Sequence, residues 1–187
     1  MSTPREPALG MLVISAMCAC WDDVWDACLD KLVDAFGPTA YCPAPSPMVW
    51  THYYDAELGP GVGRRILAFE RLAPQDDLLQ AKLVANDLEQ TFAREDGRRR
   101  INLDPGILTL ERFVLASGKN NAHRIYLGRK IFADLTLLYQ RGTWNALPWT
   151  YPDYASTEMA AKLKELRGVL KIMLQQGTQR ASSGSKP

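Results

Sequence analysis

Between residues 9 and 104, strand-like and helix-like stretches follow one another as strand, helix, strand, strand, helix, strand. An order of that kind leaves a chain few ways to close a core. Residues 9–18 form an apolar run with Val13 and Ile14, short enough for a buried strand. Asp22 and Asp23 then open a stretch in which Trp21, Trp25, Leu29, Leu32, Val33 and Phe36 recur at three- and four-residue steps. Gly37-Pro38 closes it, as expected of an amphipathic helix.

Pro43, Pro45 and Pro47 remove ladder donors and make residues 43–47 a loop. Residues 48–54, rich in β-branched and aromatic side chains, read as the next strand. Beyond the glycine-rich residues 59–63, residues 64–72 alternate as a further strand, pairing with 48–54 as a hairpin with a long connection. Pro74, followed by Asp76 and Asp77, starts a second helix, with Leu79, Leu83, Leu88 and Phe92 on one face. Residues 94–100 are a charged turn around Gly97, residues 101–104 are extended, and Pro105-Gly106 ends that strand in a turn.

This order predicts an α+β fold: a mainly antiparallel sheet with a ferredoxin-like β-α-β-β-α-β core. Residues 113–117, 123–127 and 131–139 add a β-meander. Residues 144–154, with two prolines and several large aromatics, have no regular period and read as an ordered loop. Ser156 caps a C-terminal helix from 157 to about 176, with Met159, Leu163, Leu166, Leu170 and Leu174 on one face. Residues 1–8 are expected to be a flexible N-terminus, 9–177 a single domain and 178–187 a disordered tail.

Composition narrows the function classes. The 187 residues are 47% hydrophobic and 23% charged, as in an ordinary globular domain. A formal net charge of +1 provides no global field toward nucleic acid or an anionic membrane, so any anion binding must be local. The longest N-terminal apolar run is interrupted by Gly10 and Ser15 and is too short to span a bilayer. No basic segment precedes it, so the expected compartment is the cytoplasm, with no membrane partner. Cys18, Cys20, Cys28 and Cys42 lack the spacing of a disulfide framework or a metal-binding pair and read as reduced thiols; a zinc site would need a histidine to join them.

Several polar clusters are candidates for chemistry. Lys119, Asn120, His123, Arg124 and Tyr126 crowd one hairpin, where Lys and Arg would hold a phosphate or carboxylate and His123 would move a proton. Arg100, Asn102 and Asp104 share one face of an extended segment. Asp134 and Thr136 do the same in a later strand, so Asp104 and Asp134 would act as an acid-base pair or hold a divalent metal if their faces coincide. Thr51, Tyr53 and Arg64 on the earlier strands, with Trp149 and Tyr151 in the aromatic loop, complete the ligand-binding candidates. The loop at 149–154 would either wall a pocket or latch the last helix onto the sheet. Lys82, Asn86 and Glu89 share a helix face, the ordinary pattern of salt-bridge decoration.

Four stretches carry a family resemblance: Trp50-Thr51-His52-Tyr53-Tyr54; residues 100–106; residues 119–127 with 133–137; and residues 149–154. Together they resemble an uncharacterised prokaryotic family, domain of unknown function 4416, over nearly the whole chain. Gly118 and Ile107 stand where that family's pattern has Thr and Tyr. Some members carry the label GTP-binding protein, but this chain has no G-x-x-x-x-G-K-S/T loop, and residues 59–63 include Pro60 and no lysine. The expectation is therefore a protein that binds or acts on a small anionic ligand, a nucleotide or phosphorylated compound. Its alternatives are a single-stranded nucleic-acid module, with Tyr53, Tyr54 and Tyr126 as platform and Arg98, Arg99 and Arg100 on phosphates, or a protein of structural role whose terminal helix covers a partner.

Overall fold

The structure, a computed structural model, describes residues 3–183, with side chains through residue 177. Its strands are β1 (Gly10–Cys18), β2 (Thr39–Tyr41), β3 (Ser46–Pro47), β4 (Gly63–Ala73), β5 (Ile101–Leu108), β6 (Arg112–Ser117), β7 (Arg124–Gly128), β8 (Ile131–Gln140) and β9 (Thr143–Ala146). Its helices are α1 (Trp21–Phe36), α2 (Asp55–Leu58), α3 (Asp77–Thr91) and α4 (Thr157–Ser183). The described strands make one antiparallel sheet in the order β2-β4-β1-β5-β6-β8-β7, with β3 added on β4 and β9 on β8. This is a mixed helix and strand architecture whose sheet is antiparallel throughout.

β1 is buried along its whole length, and apolar but for Ser15, because it is central in the sheet and covered on both faces. Leu12, Ile14, Ala16 and Cys18 pack with Val24, Trp25, Cys28, Leu32 and Phe36 of α1 and with Leu78, Ala81 and Ala85 of α3. Met11 and Val13 point the other way, into a second core with Met159, Leu163, Leu166 and Leu170 of α4. The sheet is therefore sandwiched between α1 with α3 on one face and α4 on the other. Gly37, at φ 89°, ends α1 by donating its N–H to Val33 O at 2.8 Å, in a left-handed backbone region that favours glycine. Ser156 starts α4: its Oγ accepts from Met159 N at 3.2 Å. Ser156→Ala should lower stability by about 1 kcal/mol in chemical denaturation.

Four sequence expectations need correction. Residues 48–54 are not a strand and form no hairpin with β4. The outer edge of β4 is taken by β2 at Ala68 and Phe69 and by β3 at Gly63 and Arg64. Short-range bonds hold the segment as turns instead: Thr51 Oγ1 accepts from Tyr53 N at 3.0 Å, and His52 Nδ1 meets Asp55 Oδ2 at 2.8 Å. A β-rich composition without an available edge does not make a strand.

Pro105-Gly106 is likewise no turn, because β5 runs straight through it with Pro105 opposite Ile14 and Gly106 opposite Val13. Within residues 144–154, Trp144, Asn145 and Ala146 belong to β9, paired with β8. The last helix continues beyond residue 176 to Ser183, through the first part of the expected tail. Residues 184–187 of that tail, like residues 1 and 2, lie outside the described residues.

All four cysteines are free, and burial pushes the Cys18 and Cys28 thiols up to about 12. Among the described residues no helix is long and apolar enough to cross a membrane.

Candidate functional site

The sheet is split along part of its length. β5 pairs with β6 only through Gly106, Ile107 and Leu108, so Ile101 to Pro105 have no strand on that side. Leu103 directs its backbone groups into the gap, where side chains of α3 satisfy them: Leu103 N donates to Glu89 Oε1 at 2.6 Å, and Leu103 O accepts from Lys82 Nζ at 2.8 Å. Backbone groups alternate along a strand, so Pro105 turns its missing N–H to the same open side, where no ladder bond is lost. Lys82 and Glu89 are therefore not surface decoration; their side chains are 8% and 6% exposed.

A cleft of about 600 Å³ opens over this gap, on the side of the sheet that carries α4. Its β5 wall is a bonded network. Arg99 grips Glu57 with two bonds of 2.7 Å, reaches Glu89 Oε2 at 3.1 Å and donates to Asn102 Oδ1 at 2.6 Å. Asn102 passes the chain on to Asp104 Oδ2 at 2.7 Å, and Lys82 meets Asp104 Oδ1 at 3.2 Å. Bonding to Arg99 holds the Glu57 carboxyl below its ordinary value, whereas burial pushes that of Glu89 up despite its neighbouring cations. Burial, with the nearby Asp104 and Asp153 charges, also raises the phenols of Tyr54 and Tyr154 above the usual tyrosine range.

The opposite wall comes from β6, β7 and β8. Arg124 Nε donates to Asp134 Oδ2 at 2.8 Å, and its Nη1 to Ser117 Oγ at 2.6 Å and Lys119 O at 2.9 Å. The segment after β9 completes the wall. Trp149 Nε1 and Thr150 Oγ1 donate to the backbone carbonyls of Leu135 and Thr136 at 2.8 and 2.6 Å, fastening the segment to β8. Tyr151 and Pro152 then face the cleft, while Tyr154 is buried against the sheet and packs with the α4 core. Pocket wall and latch are thus one segment.

Of the residues singled out from sequence, Thr51, Tyr53, Asn102, Asp104, Lys119, Arg124, Asp134 and Tyr151 line this cleft together. Arg64, His123 and Trp149 stand behind its walls. Arg64 holds Asp153, a lining residue, and lies 5.3 Å from the Tyr154 ring. His123 stacks on Trp149 at 5.0 Å and approaches Asp134 Oδ2 to 3.4 Å, from outside the lining. Arg100, Asn120 and Tyr126 lie elsewhere: Arg100 bonds Asp23, Asn120 is exposed in the connection between β6 and β7, and Tyr126 lies against Phe132 with 60% of its surface exposed.

Asp104 and Asp134 do border one cavity, yet the oxygens of each already receive protein donors. Among the described residues no group of three or more His, Cys, Asp and Glu could hold a metal ion.

Lys82, Glu89 and Ser117 complete the site without having been marked as candidates, and Arg99, read from sequence only as a phosphate contact of the nucleic-acid alternative, joins its β5 wall. For Lys82 and Glu89 the shared helix face was visible, but its pattern equally fits an exposed salt bridge. For Ser117 no signal exists in the sequence.

Fold and site together define an α+β protein built on a split antiparallel sheet, with a polar, aromatic-rimmed cleft at the split. The chain belongs to the family described as domain of unknown function DUF4416, whose model matches residues 8–169. No curated protein and no solved structure matches it significantly.

Proposed function

We propose that the cleft binds a small anionic ligand carrying a flat ring, of the nucleotide or phosphorylated-metabolite class. The observation that carries this reading is Lys119. Among the described residues the other cations of the cleft hold carboxylates, Lys82 on Asp104, Arg99 on Glu57 and Arg124 on Asp134, whereas Lys119 has none. It lies instead over the Tyr53 ring, 5.0 Å from its centroid. Trp50, Tyr53 and Tyr151 are exposed around the same cleft and offer faces on which a ring would stack. His123 lies behind Asp134, so the reading is of binding and assigns no proton transfer.

The strand order β2-β4-β1-β5, with α1 and α3 on one face, supports the inference of a ferredoxin-like core extended by β6 to β9 and α4. In that reading β2, and not residues 48–54, supplies the core's second strand. A single-stranded nucleic-acid surface has less support, since Arg98, Arg99 and Arg100 each hold a carboxylate.

A thermal-shift panel of nucleotides and sugar phosphates tests the proposal. A ligand at 100 times its Kd should stabilise the protein by about 2.7 kcal/mol. Lys119→Ala, at an exposed position, should keep the unliganded midpoint and lose most of the shift. A panel without any shift on the unaltered protein refutes the proposal.

A further inference from the structure

We propose that the cleft is polarised, with an anion seat of hydroxyl and ammonium donors at Ser117, Lys119 and Tyr151 and an acceptor pole at Asp104. Its ligand is then a mononucleotide that turns its phosphate to the first and an amino-bearing base edge to the second. This rests on the reading of the cleft as a small-ligand site and adds an orientation to it.

The seat follows from counting lone pairs and hydrogens. A serine hydroxyl has two acceptor positions and one proton. Ser117 Oγ accepts from Arg124 Nη1 at 2.6 Å and from Lys119 N at 3.2 Å, which uses both acceptor positions. Its proton has no acceptor among the described residues, and Ser117 lines the cleft. The hydroxyl therefore presents a donor to the cavity. Tyr151 repeats the arrangement at longer range: its hydroxyl accepts from Arg124 Nη2 at 3.4 Å and keeps its own proton for the cleft.

Arg124 imposes this polarity. Four of its five N–H groups are committed, to Asp134, Ser117, the Lys119 carbonyl and Tyr151. A guanidinium does not deprotonate in a protein, so the two hydroxyls face it as acceptors at any working pH and point their protons away. Arg124 itself is charge-balanced by Asp134; it acts as a positioning residue for the donors around it. Lys119, joined to Tyr53 Oη by one contact of 3.5 Å, adds the net positive charge of the seat.

The other pole is the converse. Asp104 Oδ1 receives Lys82 and Oδ2 receives Asn102, one donor on each oxygen, while a carboxylate offers about two acceptor sites per oxygen. Its side chain is 27% exposed, so the remaining lone pairs are within reach of a ligand. A second anion placed there would be repelled, whereas an amino group meets an unfilled acceptor. The exposed rings of Trp50, Tyr53 and Tyr151 line the same cleft.

Titration calorimetry with AMP, adenosine and purine riboside 5′-monophosphate, which lacks the 6-amino group, separates the two ends. On the unaltered protein AMP should bind at least about tenfold more tightly than either analogue, the size of one hydrogen bond to a charged group. Ser117→Ala should weaken AMP by about tenfold and leave adenosine unchanged, because adenosine has no phosphate for the seat. Asp104→Asn should shrink the preference for AMP over its deamino analogue. Because that change also touches Lys82, the analogue ratio on the unaltered protein serves as its independent check.

Equal loss of AMP and adenosine in Ser117→Ala, or equal affinity for AMP and the deamino analogue, overturns the polarity while leaving the cleft as a binding site. Failure of AMP to bind also overturns it, and the wider panel shows whether the small-ligand reading falls with it.

Discussion

Replacing Glu89 by alanine should cost about 3–5 kcal/mol of stability, the usual penalty for breaking a buried ion pair from one side. The carboxylate is 6% exposed and has three dependants: the Leu103 N–H at 2.6 Å, Arg99 Nη1 at 3.1 Å and Lys82 Nζ at 4.0 Å. Without it the Leu103 N–H faces the gap in the sheet with no acceptor, and two largely buried cations lose part of their balance. Glu89→Gln should cost less, about 1–3 kcal/mol, since an amide oxygen still serves Leu103 while its NH2 faces Arg99. Urea denaturation at neutral pH measures both.

The pH dependence has a definite sign. Burial raises the folded-state pKa of Glu89 above its ordinary value, so the fold favours the protonated form. The contribution of this group to stability is complete on the acid side of the ordinary value and declines as pH rises through the raised one. The stability gap between the unaltered protein and Glu89→Gln should therefore narrow with rising pH across that interval. A gap that widens means that Lys82 and Arg99 outweigh the burial.

Phe113→Ala should be about as damaging, at about 3–5 kcal/mol. Phe113 is 2% exposed, packs with the α4 core and lies against Gly106. A Cβ added at Gly106 would stand 2.8 Å from the Phe113 ring carbons and 3.0 Å from Leu115 Cδ2, inside normal contact. Gly106→Ala alone should thus cost about 1–3 kcal/mol by overpacking. The double variant should cost less than the two together, by about 0.5–3 kcal/mol, because the new methyl enters space the ring has left. Strict additivity would show that the ring does not occupy that notch. Gly106 also opens the short run in which β5 meets β6, so the single variants should loosen the cleft.

These positions show where sequence reasoning reached and where it stopped. Elements with a strong local pattern were legible: the apolar run of β1, the alternation of β4, the stripes of α1, α3 and α4, and the meander strands β6, β7 and β8. Residues 48–54 misled because β-branched and aromatic side chains report only a preference for a pleated, half-buried surface, and the edge they needed was occupied by β2 and β3. Pro105-Gly106 misled because the same two residues suit a turn and an unpaired strand edge with a bulky neighbour. Nothing local separates the two cases.

The site divides in the same way. Asn102 and Asp104 were placed on one strand face by alternation alone, and Lys119, Arg124 and Asp134 by their crowding into one hairpin and its partner strand. Arg100 turns outward to Asp23 while its neighbour Arg99 turns inward to Glu57, because both stand ahead of Ile101, where β5 begins, and strand alternation does not reach them.

The chain by itself therefore determined the α+β class, the antiparallel meander, the terminal helix and most of the polar groups available for a cleft, since each rests on periodicities and turn residues within about twenty positions. Only the tertiary structure decided that β5 meets β6 no earlier than Gly106, that Lys82 and Glu89 cross from a helix to serve a strand's open edge, and that Ser117 comes to line the cavity beside Arg124. Those outcomes depend on pairing between distant segments and on which backbone groups that pairing leaves unsatisfied, and neither is written in the neighbourhood of any one residue.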